Sequence, residues 1–126
     1  MGKGRNRILL VDDEPDNNRI FTITLRDAGF EVDAFMDPRM ALSEFKPNYY
    51  DLLILDMRMQ YMSGDQLYRE IRKIDDKPKV CVLSAYGSED HKTRFSKITS
   101  SNDICYIRKP ISLDELVAKI NEITNS

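Results

Sequence analysis

The sequence predicts a doubly wound α/β fold, a five-stranded parallel sheet with helices on both faces, and three observations lead there. Four short, nearly unbroken apolar runs recur, ILLV at 8–11, LLIL at 52–55, VCVL at 80–83 and ICYI at 104–107, as expected of strands buried on both faces. Glu31 to Phe35 alternates polar and apolar residues in the manner of an edge strand. The segments between these runs carry helix punctuation, so strand and helix alternate five times, the pattern of right-handed crossovers in a parallel sheet.

Each helix is read from its own signals. After Glu14-Pro15, where a first helical turn tolerates proline, Ile20, Phe21, Thr24, Leu25 and Ala28 share one face, and Gly29 ends the segment. Asp37-Pro38 supplies an N-cap and a first-turn proline for the second helix, which Pro47 is expected to close. Ser63 with Gln66, and Ser112 with Glu115, have capping-box spacing at the starts of the third and fifth helices. The fourth, within Ser88 to Asp103, offers only Phe95 and Ile98 as an apolar stripe and is expected to be short or loosely packed.

The 126 residues suit one domain, with residues 1–6 as a flexible tail. With 19 basic and 21 acidic residues the formal charge is −2, which lacks the basic excess that direct nucleic-acid binding requires. The apolar run at 8–11 is too short for a signal peptide or a membrane span, so a soluble cytoplasmic protein is expected. Asn6 stands where a myristoylation signal needs Ser or Thr. Cys81 and Cys105 show neither CxxC spacing nor a histidine cluster and are expected as buried free thiols, with a redox disulfide as the alternative. The single histidine, His91, reads as a surface residue.

In an open parallel sheet, ligands bind beyond the carboxyl ends of the strands where strand order reverses. Strand one runs into Asp12-Asp13, strand three into Asp56, strand four into Ser84 and strand five into Lys109-Pro110, whereas Asp37 after strand two is assigned to capping. Three crowded carboxylates repel one another unless a cation is present. An all-oxygen donor set favours a hard ion such as Mg2+, which pairs one or two carboxylates with waters and a phosphate oxygen. Lys109 would then offer a charge, and Ser84 a hydroxyl, to further oxygens of a transferred phosphoryl group. Neither Cys nor His accompanies them, so a carboxylate is the nucleophile, and Asp56, alone on the central strand, is the candidate. Any one of these aspartates taken alone reads as an ordinary cap or loop residue; four strand ends together do not.

ILLVDDEPDNNR, LLILDMRMQYMSG, VLSAY and YIRKPIS, in this order and at these spacings, resemble the receiver domains of two-component response regulators over essentially the whole chain. The resemblance implies a flavodoxin-like sheet of order 2-1-3-4-5, Mg2+ bound by Asp12, Asp13, Asp56 and the backbone carbonyl of Arg58, and phosphorylation of Asp56. It further implies that Ser84 and Lys109 contact the phosphoryl group and that Lys109-Pro110 is a cis peptide. Ser84 and Tyr106 would form the switch, changing the face made by the fourth helix, fifth strand and fifth helix. The implied partners are a histidine kinase or phosphotransfer protein and a downstream effector. A phosphorylation-dependent homodimer through that face is one outcome the resemblance allows.

Three departures from the family pattern stand out. Gln60 replaces the usual proline and should loosen the loop after Asp56, Ser84 replaces the commoner threonine, and Ser100-Ser101-Asn102-Asp103 replaces an Ala-Gly-Ala run. Arg58 and Tyr86 occupy positions over the phosphoryl group; one reading makes them a cation–π shield that modulates its lifetime, the other two solvated side chains. Two other functions compete with this one. A phosphate-independent interaction module would have lost an acidic residue, the acceptor or the lysine, and none is lost. A Mg2+-dependent phosphatase would need a second aspartate where Arg58 stands. The chain is thus expected to catalyse its own phosphoryl transfer and dephosphorylation without being an enzyme in the turnover sense.

Overall fold

Alternation along a strand sends successive side chains to opposite faces, and the runs ILLV, LLIL and VCVL are apolar at every position, so both faces of the sheet carry a core. In the computed structural model, which describes residues 6–85 and 104–125, the strands are β1 (Arg7–Val11), β2 (Glu31–Phe35), β3 (Leu52–Asp56), β4 (Lys79–Ser84) and β5 (Cys105–Arg108). They form one parallel sheet in the order β2-β1-β3-β4-β5, the order expected.

Helices α1 (Pro15–Asp27) and α4 (Leu113–Thr124) cover one face, where Phe21, Leu25, Leu116 and Ile120 meet Ile8, Leu10, Leu52, Ile54 and Leu83. Helices α2 (Pro38–Ser43) and α3 (Gly64–Arg72) cover the other, packing Ala41, Leu67 and Ile71 on Leu9, Val11, Leu53, Leu55 and Val82. Burying side chains of this size contributes about 1.5–3 kcal/mol each. The helix expected within 88–103 lies outside the described residues.

The caps follow the sequence. Asp37 accepts from the Arg39 N–H at 2.8 Å at the start of α2. Ser112 accepts from the Glu115 N–H at 3.1 Å at the start of α4. At α3 the Ser63 N–H donates to the Gln66 side chain at 3.0 Å. Gly29, at φ 101°, adopts the left-handed conformation that ends α1.

Two expectations are corrected. The buried stripe of α1 is Asn18, Phe21, Thr22 and Leu25, while Ile20 is 41 % exposed and Ala28 is also exposed. The helix is turned because Asn18 has work inside: its amide donates to the carbonyls of Asp12 and Phe35, each at 2.9 Å, tying together the ends of β1 and β2. Buried backbone acceptors are costly to leave unpaired, and an amide with two donors serves both. Helix α2, in turn, ends at Ser43, before Pro47 can act, and the chain turns so that Phe45 enters the core.

Cys81 and Cys105 are free thiols directly opposite each other on β4 and β5; Cys81 is buried and Cys105 only partly so.

Candidate functional site

The carboxyl ends of β1 and β3 lie side by side, since Val11 pairs with Leu55 and each strand continues straight into aspartate. Asp12, Asp13 and Asp56 thereby bring one carboxylate oxygen apiece within 4.8 Å of one another. Asp12 is fully buried, Asp56 is buried and Asp13 half-buried.

Lys109 reaches the cluster from the end of β5. Its N–H donates to the Ser84 carbonyl at 2.7 Å, anchoring the chain to the end of β4. Its Nζ then donates to Asp56 Oδ2 at 3.0 Å and to Asp12 Oδ2 at 3.3 Å. The Lys109-Pro110 peptide is cis. Burial works against the ammonium charge, but the hydrogen bond to Asp56 and the charges of Asp12 and Asp56 outweigh it and raise the lysine pKa. The Asp56 pKa is raised too, which for an acid disfavours the charged form: burial first, and then the Asp12 charge, push its carboxyl up to about 6 against the pull of Lys109. One cation facing three carboxylates leaves the cluster short of positive charge.

Three of the four remaining oxygens accept from backbone donors. Asp12 Oδ1 accepts from the Glu14 N–H at 3.0 Å, Asp56 Oδ1 from the Arg58 N–H at 3.3 Å and Asp13 Oδ2 from the Gln60 N–H at 3.0 Å. The last of these overturns the expectation that Gln60 loosens the loop, because a residue other than proline supplies an N–H and so adds a tether.

Helix α3 begins against the end of β3 through Gly64, whose N–H donates to the Met57 carbonyl at 2.9 Å. A Cβ there would lie 2.6 Å from the Asp56 carbonyl oxygen and 3.1 Å from Met57 Cα, both backbone atoms that cannot swing aside. Gly64→Ala is therefore expected to destabilise the protein by about 1–3 kcal/mol despite alanine's helix preference, read as a lower urea midpoint. An unchanged midpoint would mean that this backbone contact yields freely.

Ser84 is buried at the end of β4. Tyr106 stands opposite Val82 in the β4–β5 register, and Ser84 lies two residues beyond Val82, so both belong to the same face of the sheet. Tyr106 is partly buried against the core of that face, and burial raises its hydroxyl pKa. Arg58 is exposed beside Asp56, whereas Tyr86 and His91 lie outside the described residues, so the suggested Arg58–Tyr86 stack is not placed. Sequence reasoning missed Asn18 and the Gln60 N–H. The spacing 18-21-22-25 could have revealed the first; a backbone donor has no side-chain signature.

Among the described residues no helix is long and apolar enough to cross a membrane. The profile of the response regulator receiver domain matches residues 8–121. The transcriptional regulatory protein PrrA of Mycobacterium tuberculosis is 33 % identical over 117 residues, which is 93 % of this chain but 49 % of that protein, so the chain spans about half the length of such a relative. The receiver domain of the Francisella response regulator 1452 superposes with a TM-score of 0.80 at 28 % identity, covering 96 % of this chain and 98 % of that one. A CheY-like receiver domain protein from Methanospirillum hungatei shares the fold at a TM-score of 0.84 and 24 % identity, covering 97 % and 95 % of the two chains. The ends of β1, β3 and β5 converge on one acidic cluster and a family profile runs through all of them: the chain belongs to the receiver domain family of two-component response regulators.

Proposed function

We propose that Asp56 accepts a phosphoryl group in a Mg2+-dependent reaction and that the modification switches the surface around Tyr106. The observation that carries this reading is the Lys109 ammonium held on Asp12 and Asp56 within a cluster of three carboxylates. An all-oxygen donor set at this spacing fits a small hard dication. Asp12, Asp13, Asp56 and the backbone carbonyl of Arg58 would hold Mg2+, which when bound would neutralise charge on the phosphoryl oxygens.

The chain's own residues do the rest. A carboxylate oxygen of Asp56 attacks phosphorus; the bond from phosphorus to the donor breaks as the acyl phosphate forms, and the electron pair leaves with the donor. Phosphoryl transfer needs positioning and charge stabilisation more than covalent chemistry from the protein. Lys109, kept charged by its carboxylate neighbours, offers one phosphoryl oxygen a cation, and the Ser84 hydroxyl donates to another. As Ser84 turns toward the phosphate, Tyr106 on the same sheet face takes the inward of two packings, a population shift biased by contacts present in only one state.

The phosphodonor in this reading is a histidine kinase or phosphotransfer protein in the cytoplasm, the receiver spans residues 1–126, and a downstream protein reads the altered face. There is no turnover substrate and no direct contact with nucleic acid. Intact mass spectrometry after incubation with a small phosphodonor, with and without Mg2+, tests it. Wild type is expected to gain one phosphoryl adduct only with Mg2+, and Asp56→Asn none. A wild-type chain that stays unmodified would favour a phosphate-independent interaction module instead.

A further inference from the structure

The loop between Asp56 and α3 is shaped by contacts that the phosphorylation chemistry does not require. The Met62 N–H donates to the Gln60 carbonyl at 2.8 Å, closing a γ-turn centred on Tyr61. Tyr61 sits at φ 72°, a left-handed conformation that a bulky residue adopts only when something holds it there. Burial does not supply the hold, since Tyr61 is 67 % exposed. The Arg39 guanidinium instead lies 3.5 Å from the centre of the Tyr61 ring. Arg39 is itself fixed on Asp37, its Nε donating to Oδ1 at 3.2 Å and its guanidinium NH2 group to Oδ2 at 2.9 Å. Asp37 is the N-cap of α2, so the start of that helix is linked side chain by side chain to the turn. The turn, in its turn, presents the Gln60 N–H to Asp13 Oδ2.

We propose that the Gln60 N–H positions the Asp13 carboxylate for a divalent cation, and that Arg39 and Tyr61 are positioning residues that hold the turn delivering it. This rests on the reading of Asp12, Asp13 and Asp56 as a Mg2+ site. Asp13 is the half-buried member of the cluster, and among the described residues the Gln60 N–H is the donor to its carboxylate. With Oδ2 occupied by an N–H, the carboxylate is held in one rotamer and Oδ1 remains for the ion. Hydrogen-bond partners of this outer kind typically change metal affinity about 10–100-fold when removed.

Mg2+ affinity measured by calorimetric titration of wild type and four variants tests the proposal, with urea melts without metal confirming that each is folded. Gln60→Ala keeps the backbone donor and is expected to bind within about twofold of wild type, whereas Gln60→Pro removes it and is expected to bind about tenfold more weakly. Tyr61→Phe keeps the stacked ring and should match wild type, whereas Tyr61→Ala, with no change of charge, should lose roughly threefold. Equal affinities for folded Gln60→Pro and Gln60→Ala would overturn the positioning role while leaving the metal site intact. Should Gln60→Pro fail to fold, Tyr61→Ala decides, and an affinity equal to that of Tyr61→Phe overturns the proposal. A wild-type protein that does not bind Mg2+ would remove the metal reading itself, and the positioning role with it.

Discussion

Asp56→Asn is expected to stabilise the metal-free protein at neutral pH by about 2–3 kcal/mol, and to flatten its stability between about pH 4 and 6. The cause is the carboxyl that burial, and then the charge of Asp12, push from an ordinary 3.8 up to about 6. A folded pKa above the unfolded one means that the native state holds the proton more tightly. That contribution is fully present below about pH 3.8 and is lost as the pH rises through 6. Each pKa unit corresponds to about 1.36 kcal/mol, which sets the size of the effect. Asparagine keeps the shape and removes the charge that has to be held in the cluster at pH 7. Urea titrations of both proteins in a chelator at pH 4, 5, 6 and 7 would show curves that converge in acid and separate toward neutrality. Parallel curves would mean that Asp56 is not strained by its neighbours. In wild type the same instability gives a dication something to relieve, so Mg2+ should raise its urea midpoint far more than that of the Asn variant.

The site was legible where chemistry sits in side chains at strand ends. Asp12, Asp13, Asp56, Ser84 and Lys109 each follow an apolar run, and in a parallel sheet the ends of such runs share one edge, so linear order alone brings them together. The strand order β2-β1-β3-β4-β5 followed from the family resemblance, whereas the edge place of the alternating segment, β2, was legible in the residues themselves. Hydropathy failed on α1 because it counts Ile20 as core and Asn18 as surface, whereas the buried amide satisfies two carbonyls that no apolar side chain could. It failed again after Asp56. The absence of proline at position 60 suggested freedom, but the N–H that proline would lack is bonded to Asp13. The Arg39–Tyr61 contact spans 22 positions and depends on a left-handed tyrosine, which propensity alone argues against.

Lys109→Ala should have the opposite effect to Asp56→Asn and the larger one, a loss of about 3–5 kcal/mol in the metal-free protein at neutral pH. The side chain is 15 % exposed and its ammonium is bonded to the carboxylates of fully buried Asp12 and of Asp56. Removing it leaves two negative groups close together in a region of low polarity. Lys109 also lowers the Asp56 pKa, so its loss raises that pKa further and the damage shrinks in acid, where the carboxyl takes up a proton. The lysine and the aspartate act through one contact, so their substitutions should not add. The double variant Lys109→Ala/Asp56→Asn is expected to regain clearly more than Asp56→Asn gains on its own, because without Lys109 the ionised Asp56 carboxyl is held less favourably still. Mg2+ should rescue Lys109→Ala by more than it stabilises wild type, since the ion enters a cluster from which the competing cation has gone. Urea midpoints for the four proteins of the cycle, with and without Mg2+, carry the test. Additive effects would mean that Lys109 supports the fold through its packing against neighbours, and that the acidic cluster does not depend on its charge.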